Sequence, residues 1–245
     1  MHSDIFNADN MVQPPTRAGM SLQHPRCVRY TVNGEVRARQ GSMVAWRGNL
    51  TFETQRQGIR NFVKRAVTGE GVPLMAVRGQ GEVWFAEGAA SCFVIDLEQN
   101  DVLTINGRNI LCFDPTLAYE IHLVQGAGML GGGLFNSVFS GHGQLAVLSN
   151  GQPLVIPVTP QVPVFVDTNS VIGWSHQLQT SIHRSESLKS VLRGGSGELF
   201  QLRLDGQGFV LVQPSEGLPY SPAAAGDSGS TAGSQGGLLG SFLGG

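Results

Sequence analysis

Val36–Trp46 reads V-R-A-R-Q-G-S-M-V-A-W, Leu103–Phe113 reads L-T-I-N-G-R-N-I-L-C-F, and Val164–Trp174 reads V-F-V-D-T-N-S-V-I-G-W. Each is a short strand-like stretch, a polar turn, and a second apolar stretch closed by a large aromatic. A second landmark follows each one: V-R-G-Q-G-E-V-W-F from Val77, F-S-G-H-G-Q-L-A-V from Phe139, and L-D-G-Q-G-F-V-L-V from Leu204. After every G-x-G the apolar residues alternate (Val83 and Phe85, Leu145 and Val147, Val210 and Val212), the period of a half-buried strand. From Gly81 to Phe113 is 32 residues and from Gly143 to Trp174 is 31, so this interval is framework. From the aromatic to the next G-x-G the interval runs 33, 28 and 32 residues, so insertions fall there. Self-similarity at roughly sixty residues predicts three internal repeats. The expected fold is mainly β, a compact sandwich or prism-like body with pseudo-threefold repeats pairing with one another around a common apolar interior.

The insertions differ in character. Ile59, Phe62, Val63, Ala66 and Val67 fall on one face of a short helix within Gly58 to Thr68, and Leu188, Val191 and Leu192 make a weaker version within Ser187 to Arg193. Gly126 to Gly133 is glycine-rich. The reading is an N-terminal arm over 1–26, the triplicated domain over 27–213, and a Gly/Ser/Pro-rich disordered tail over 214–245.

Composition narrows the function classes. Only 14% of residues are charged, well under the usual quarter or so, and 34 are glycine. A net charge of −2 with scattered Lys and Arg argues against nucleic acid as the partner, because counterion displacement needs a basic stripe. The N-terminus carries Asp4 and Asp9 and lacks the basic-then-apolar order of a signal peptide, and no apolar run is long enough to span a bilayer. Three cysteines (Cys27, Cys92 and Cys112), without short paired spacing, suit buried thiols in a reducing cytoplasm.

Several motifs invite chemistry and are better explained by structure. Gly126-Ala-Gly128-Met-Leu-Gly131 has dinucleotide-loop spacing, but the strand-like Leu134–Ser140 follows it and no acid lies near Leu148. Ser140 beside His142 has no counterpart in the sister segments. Counting seven and nine residues past each aromatic gives Glu53 and Gln55, Glu120 and His122, Ser181 and His183. Gathered around an axis, Glu53, Glu120, His122 and His183 could bind a metal. Leu50 and Phe52 with Leu117 and Tyr119 lie on the opposite face, so the polar face reads as solvated. No catalytic, cofactor or metal residue is assigned, and the chain is not read as an enzyme.

G-S-M-V-A-W-R-G-N-L-T-F-E from Gly41, F-V-K-R-A-V-T-G-E-G from Phe62, R-G-Q-G-E-V-W-F from Arg78 and the G-G-G-L-F before Phe139 resemble the altered-inheritance-of-mitochondria protein-24-like family, also described as a bacterial domain of unknown function. The resemblance covers nearly all of the expected folded region. It implies a β fold similar to that of the tryptophan-responsive RNA-binding attenuation protein, without implying RNA binding. It supplies no catalytic residue. Its fungal mitochondrial members are associated with inner-membrane organisation, which suggests a scaffold, while the absence of a basic targeting segment points to a bacterial cytoplasmic setting. The expected function is therefore a structural or interaction protein with protein partners, including other copies of itself, and with contact to a membrane surface. A small-ligand or metal-binding β domain, or RNA binding by analogy of fold, are the alternatives.

Overall fold

The computed structural model describes residues 2–14, 19–54, 73–123, 135–184 and 200–216. These fold almost wholly as strands, grouped into three sheets that form a sandwich-like body. The expected helices within 58–68 and 187–193, the glycine-rich 126–133 and the tail beyond 216 lie outside the described residues.

The first unit contributes β1 (Met20–His24), β2 (Cys27–Arg39), β3 (Met43–Thr54) and β4 (Leu74–Phe85). The second contributes β5 (Ser91–Leu97), β6 (Val102–Asn106), β7 (Ile110–Phe113), β8 (Ala118–Leu123), β9 (Phe135–Ser140) and β10 (Gly143–Ser149). The third contributes β11 (Leu154–Val158), β12 (Val164–Asp167), β13 (Val171–Ser175), β14 (Gln179–Arg184), β15 (Phe200–Asp205) and β16 (Gly208–Val212). The sheets run β3-β4-β2-β7-β10-β5, with β1 added to β2; β11-β16-β13-β6-β9-β8; and β12-β15-β14. Met20–His24 falls inside the segment read as an arm, yet it is a strand of the first sheet.

The quoted landmarks meet in one register. Val36 lies opposite Val77, Leu103 opposite Phe139, and Val164 opposite Leu204. The closing aromatics obey the same rule: Trp46 faces Val83, Phe113 faces Leu145, and Trp174 faces Val210. The glycines of β4 lie directly against β3, Gly79 opposite Leu50 and Gly81 opposite Gly48. Gly79 adopts φ +127°, and a Cβ there would sit 2.1 Å from the Asn49 carbonyl oxygen. A Cβ at Gly81 would sit 2.2 Å from the Arg47 oxygen, so β3 and β4 can cross this closely only with glycine.

The common apolar interior is not what forms. The core divides into three clusters: one around Val28, Val36, Val77 and Phe85, one around Phe113, Phe139 and Leu145, and one around Trp174, Leu202 and Val210. Phe113 is fully buried, stacked on Tyr119 with ring centroids 5.4 Å apart and edge-on to Phe139 at 5.0 Å. Trp174 is 3% exposed, whereas Trp46 is 48% exposed and touches only Phe52 among the aromatic rings described. The reason is a missing neighbour: β7 and β13 are each sandwiched between two strands, and the Trp46 end of β3 lies at a sheet edge. The shared registers alone do not establish a threefold relation, since two joints between units form and a third does not.

Candidate functional site: the edges of the sheets

Charge is spent locally on the strand faces. Glu82 pairs with Arg29 at 3.6 Å and with Arg47, and Glu35 pairs with Arg37 at 3.2 Å and Arg78 at 2.7 Å. Arg78 also reaches Glu53, and Arg203 pairs with Asp205 at 2.8 Å. These are cross-strand and same-strand neighbours; Arg29 is buried, whereas Arg47, Arg78 and Arg203 stand on solvated parts of the sheets. Partial burial pushes the Glu35 carboxyl upward, but hydrogen bonds from Arg78 and Arg37 outweigh it and hold the group below the usual range. Arginines already matched by carboxylates make a poor phosphate-binding stripe.

The four positions weighed as metal ligands are not brought together. Glu53 stands on β3 bound to Arg78, and Glu120 and His122 sit 3.3 Å apart on exposed β8. His183 packs edge-on to Phe165, ring centroids 5.3 Å apart, on β14. They occupy three different sheets, and among the described residues no group of three His, Cys, Asp or Glu is placed to hold a metal. Gln55 lies outside the described residues.

The thiols are not poised for attack. All three cysteines are free, and burial raises each thiol, that of Cys92 to about 12. Such thiols stay protonated at neutral pH and lack the low-pKa setting of a nucleophile. Cys27 lines a shallow cleft of about 400 Å³ between the N-terminal segment (Asp9, Asn10, Val12) and the sheet (Val44, Ala45, Trp84). His24 of that cleft accepts a hydrogen bond from the Arg26 backbone N–H at 3.3 Å.

Buried polar groups serve the frame. Tyr30 donates to Asp114 at 2.7 Å, Asp114 accepts the Gln144 backbone N–H at 2.8 Å, and the Gln144 amide donates to Asp96 at 2.7 Å. The Gln144 amide oxygen accepts from the Met20 backbone N–H at 2.8 Å, so one network ties β1, β2, β5 and β10. Arg39, 7% exposed, donates to the carbonyls of Ile110 at 2.9 Å, Gly107 at 3.1 Å and Arg108 at 2.5 Å.

Several exposed apolar side chains lie on sheet edges. On β3, Val44 and Trp46 are 58% and 48% exposed; on β11, Leu154 and Val155 are 56% and 63% exposed; on and before β12, Phe165 and Val162 are 45% and 63% exposed. All three strands terminate sheets. Edge strands with unpaired backbone groups and exposed apolar side chains are templates for another chain. Alternation showed which residues share a face, but not which strand would lack a neighbour. Trp46 therefore reads from sequence as facing the common interior.

Among the described residues no helix is long and apolar enough to cross a membrane. A family model described as mitochondrial biogenesis AIM24 matches residues 22–215. An X-ray crystal structure of a Streptococcus pyogenes protein is similar at TM-score 0.64 and 22% identity, over 81% of this chain and 93% of that one. That likeness concerns the fold. No curated protein matches the sequence.

Proposed function

This chain belongs to the mitochondrial biogenesis AIM24 family, and from that membership we propose that it is a non-enzymatic structural protein, a scaffold that binds other proteins in the cytoplasm through the edges of its sheets. The supporting observation is the side-by-side exposure of Leu154 and Val155 on β11, an edge strand whose other side is paired with β16 over its whole length. A partner strand added to β11 would satisfy backbone groups and cover both side chains, the mode in which sheet edges take up extended peptides. Ion-paired carboxylates and arginines with protonated thiols fit this reading better than catalysis, and unpaired thiols suit a reducing compartment.

Affinity capture with the full chain, run beside Leu154→Lys and Val155→Lys variants in extract of the source cell, tests the proposal. Partner proteins should be retained by the parent chain and lost from both variants, with the sheet unaltered by circular dichroism. The same set on all three chains, or no partner on any, overturns it.

A further inference from the structure

The strand segments that begin at Val36, Leu103 and Val164 also supply the joints between units, and the joints follow one rule. At the first joint β2 pairs with β7: Arg37, second residue of its segment, faces Phe113, the last residue of the next, and Ala38 faces Cys112. At the second joint β6 pairs with β13 in the same register: Thr104 faces Trp174, and Ile105 faces Gly173. A side-chain bond repeats as well. Arg39, fourth in its segment, donates to the Ile110 carbonyl at 2.9 Å; Asn106, fourth in its own, donates to the Val171 carbonyl at 3.2 Å.

The first joint fuses β3-β4-β2 of the first unit to three of the second unit's six strands, and the second joint fuses the other three to three of the third unit's six. β3-β4-β2 continues into β7-β10-β5, and β8-β9-β6 continues into β13-β16-β11. Among the described residues the remaining three strands of the third unit, β12-β15-β14, continue into no further strand. Among the described residues this leaves the donor strand β12 of the last unit open and the acceptor strand β3 of the first unit open; Val44, Ala45 and Trp46 on β3 and Phe165 on β12 are exposed, while Val166 is buried. Val44 and Trp46 are 58% and 48% exposed, while their counterparts Leu111, Phe113, Ile172 and Trp174 are all at 3% or less. Phe165 is 45% exposed where Thr104 is 4% exposed.

We propose that β12 of one molecule pairs antiparallel with β3 of a second copy in the register of the two internal joints, Phe165 opposite Trp46 and Val166 opposite Ala45, so that molecules join head to tail. The two edges are different surfaces, so the contact is heterologous and every open assembly, a growing filament included, keeps one free edge of each kind until a ring closes. An aromatic pair directly across the strands adds to the ladder. The N-terminal segment lines the cleft at Val44 and Ala45 but leaves Trp46 open to a partner. Asp167 occupies the fourth position, where Arg39 and Asn106 donate, and a carboxylate cannot. The joint between molecules therefore lacks one bond of the internal joints and is reversible. β11 takes no part.

Two edge variants of the full chain test this by sedimentation velocity over a concentration series. The parent protein should gain mass with concentration. Trp46→Glu and Phe165→Glu should each be monomeric, with the parent's circular dichroism and melting temperature. Mixed in equal amounts they should form dimers and stop there, because one variant keeps its β12 edge and the other its β3 edge. A parent that is monomeric throughout, a variant that still associates alone, or a mixture that stays monomeric while the parent associates each overturns the proposal. Retention of partners by Trp46→Glu separates this outcome from the β11 reading.

Discussion

Arg39 shows how one side chain can hold two units together. Its guanidinium is buried and spread over three backbone carbonyls, those of Gly107, Arg108 and Ile110. Arg39→Met keeps much of the packing volume and removes those charge-assisted bonds, so urea unfolding should show a loss of about 2–4 kcal/mol. A loss no larger than that of an exposed arginine would mean water serves the carbonyls equally well. Tyr30→Phe removes the donor to Asp114 and should cost about 1–2 kcal/mol. Glu35 works through pH. Its carboxyl is held below the ordinary range, so the folded state takes up its proton later than the unfolded chain does on acidification. Its stabilising contribution is complete above the ordinary carboxylate range and is lost as pH falls through the lowered value. Glu35→Gln should flatten the acid limb of stability modestly, since the side chain is only partly buried. An unchanged acid limb would contradict the assignment. None of these roles was legible in the sequence: Arg39 sat in a slot that alternation marks as one face of a strand, with nothing to say that a turn 70 residues on would close over it.

At the scale of the element, the strand patterns read well because period two and the G-x-G pairs are local properties. Gly79, Gly141 and Gly206 all adopt positive φ, at +127°, +103° and +118°, as a tight bend or close approach requires. Gly79→Ala would force a strained backbone and a Cβ against the Asn49 carbonyl at once, so β3 and β4 would have to separate. Thermal melting should fall by an amount equivalent to about 3 kcal/mol or more, whereas Gly34→Ala, which also has positive φ but nothing within 4 Å, should cost less. Equal losses would show that strain alone matters. The short strand β1, with only five residues, looked like part of an arm because its alternation was too brief to separate from loop. The candidate metal positions failed for a related reason. Counting from the aromatics placed Glu53, Glu120, His122 and His183 on equivalent rungs, and equivalent rungs of different sheets need not converge.

At the scale of the whole molecule, the two joints leave two open edges, and in the proposed head-to-tail joint the fourth residue of the last segment sets how firmly those edges hold. Asp167 already accepts the Asn169 backbone N–H at 2.7 Å through its Oδ1, a bond that an asparagine can keep. Asp167→Asn would add the amide donor that Asn106 uses on the Val171 carbonyl, aimed in the proposed joint at the carbonyl of Met43 in the next copy. One such bond contributes about 1 kcal/mol net, so association should tighten roughly fivefold per joint. Removing a charge from an open edge also favours strand pairing, so Asp167→Ala is the control for charge alone. Sedimentation equilibrium should rank the chains asparagine first, alanine second and parent third. Association by the asparagine variant no tighter than that of the parent would break the equivalence between the open edge and the internal joints, and the head-to-tail arrangement with it.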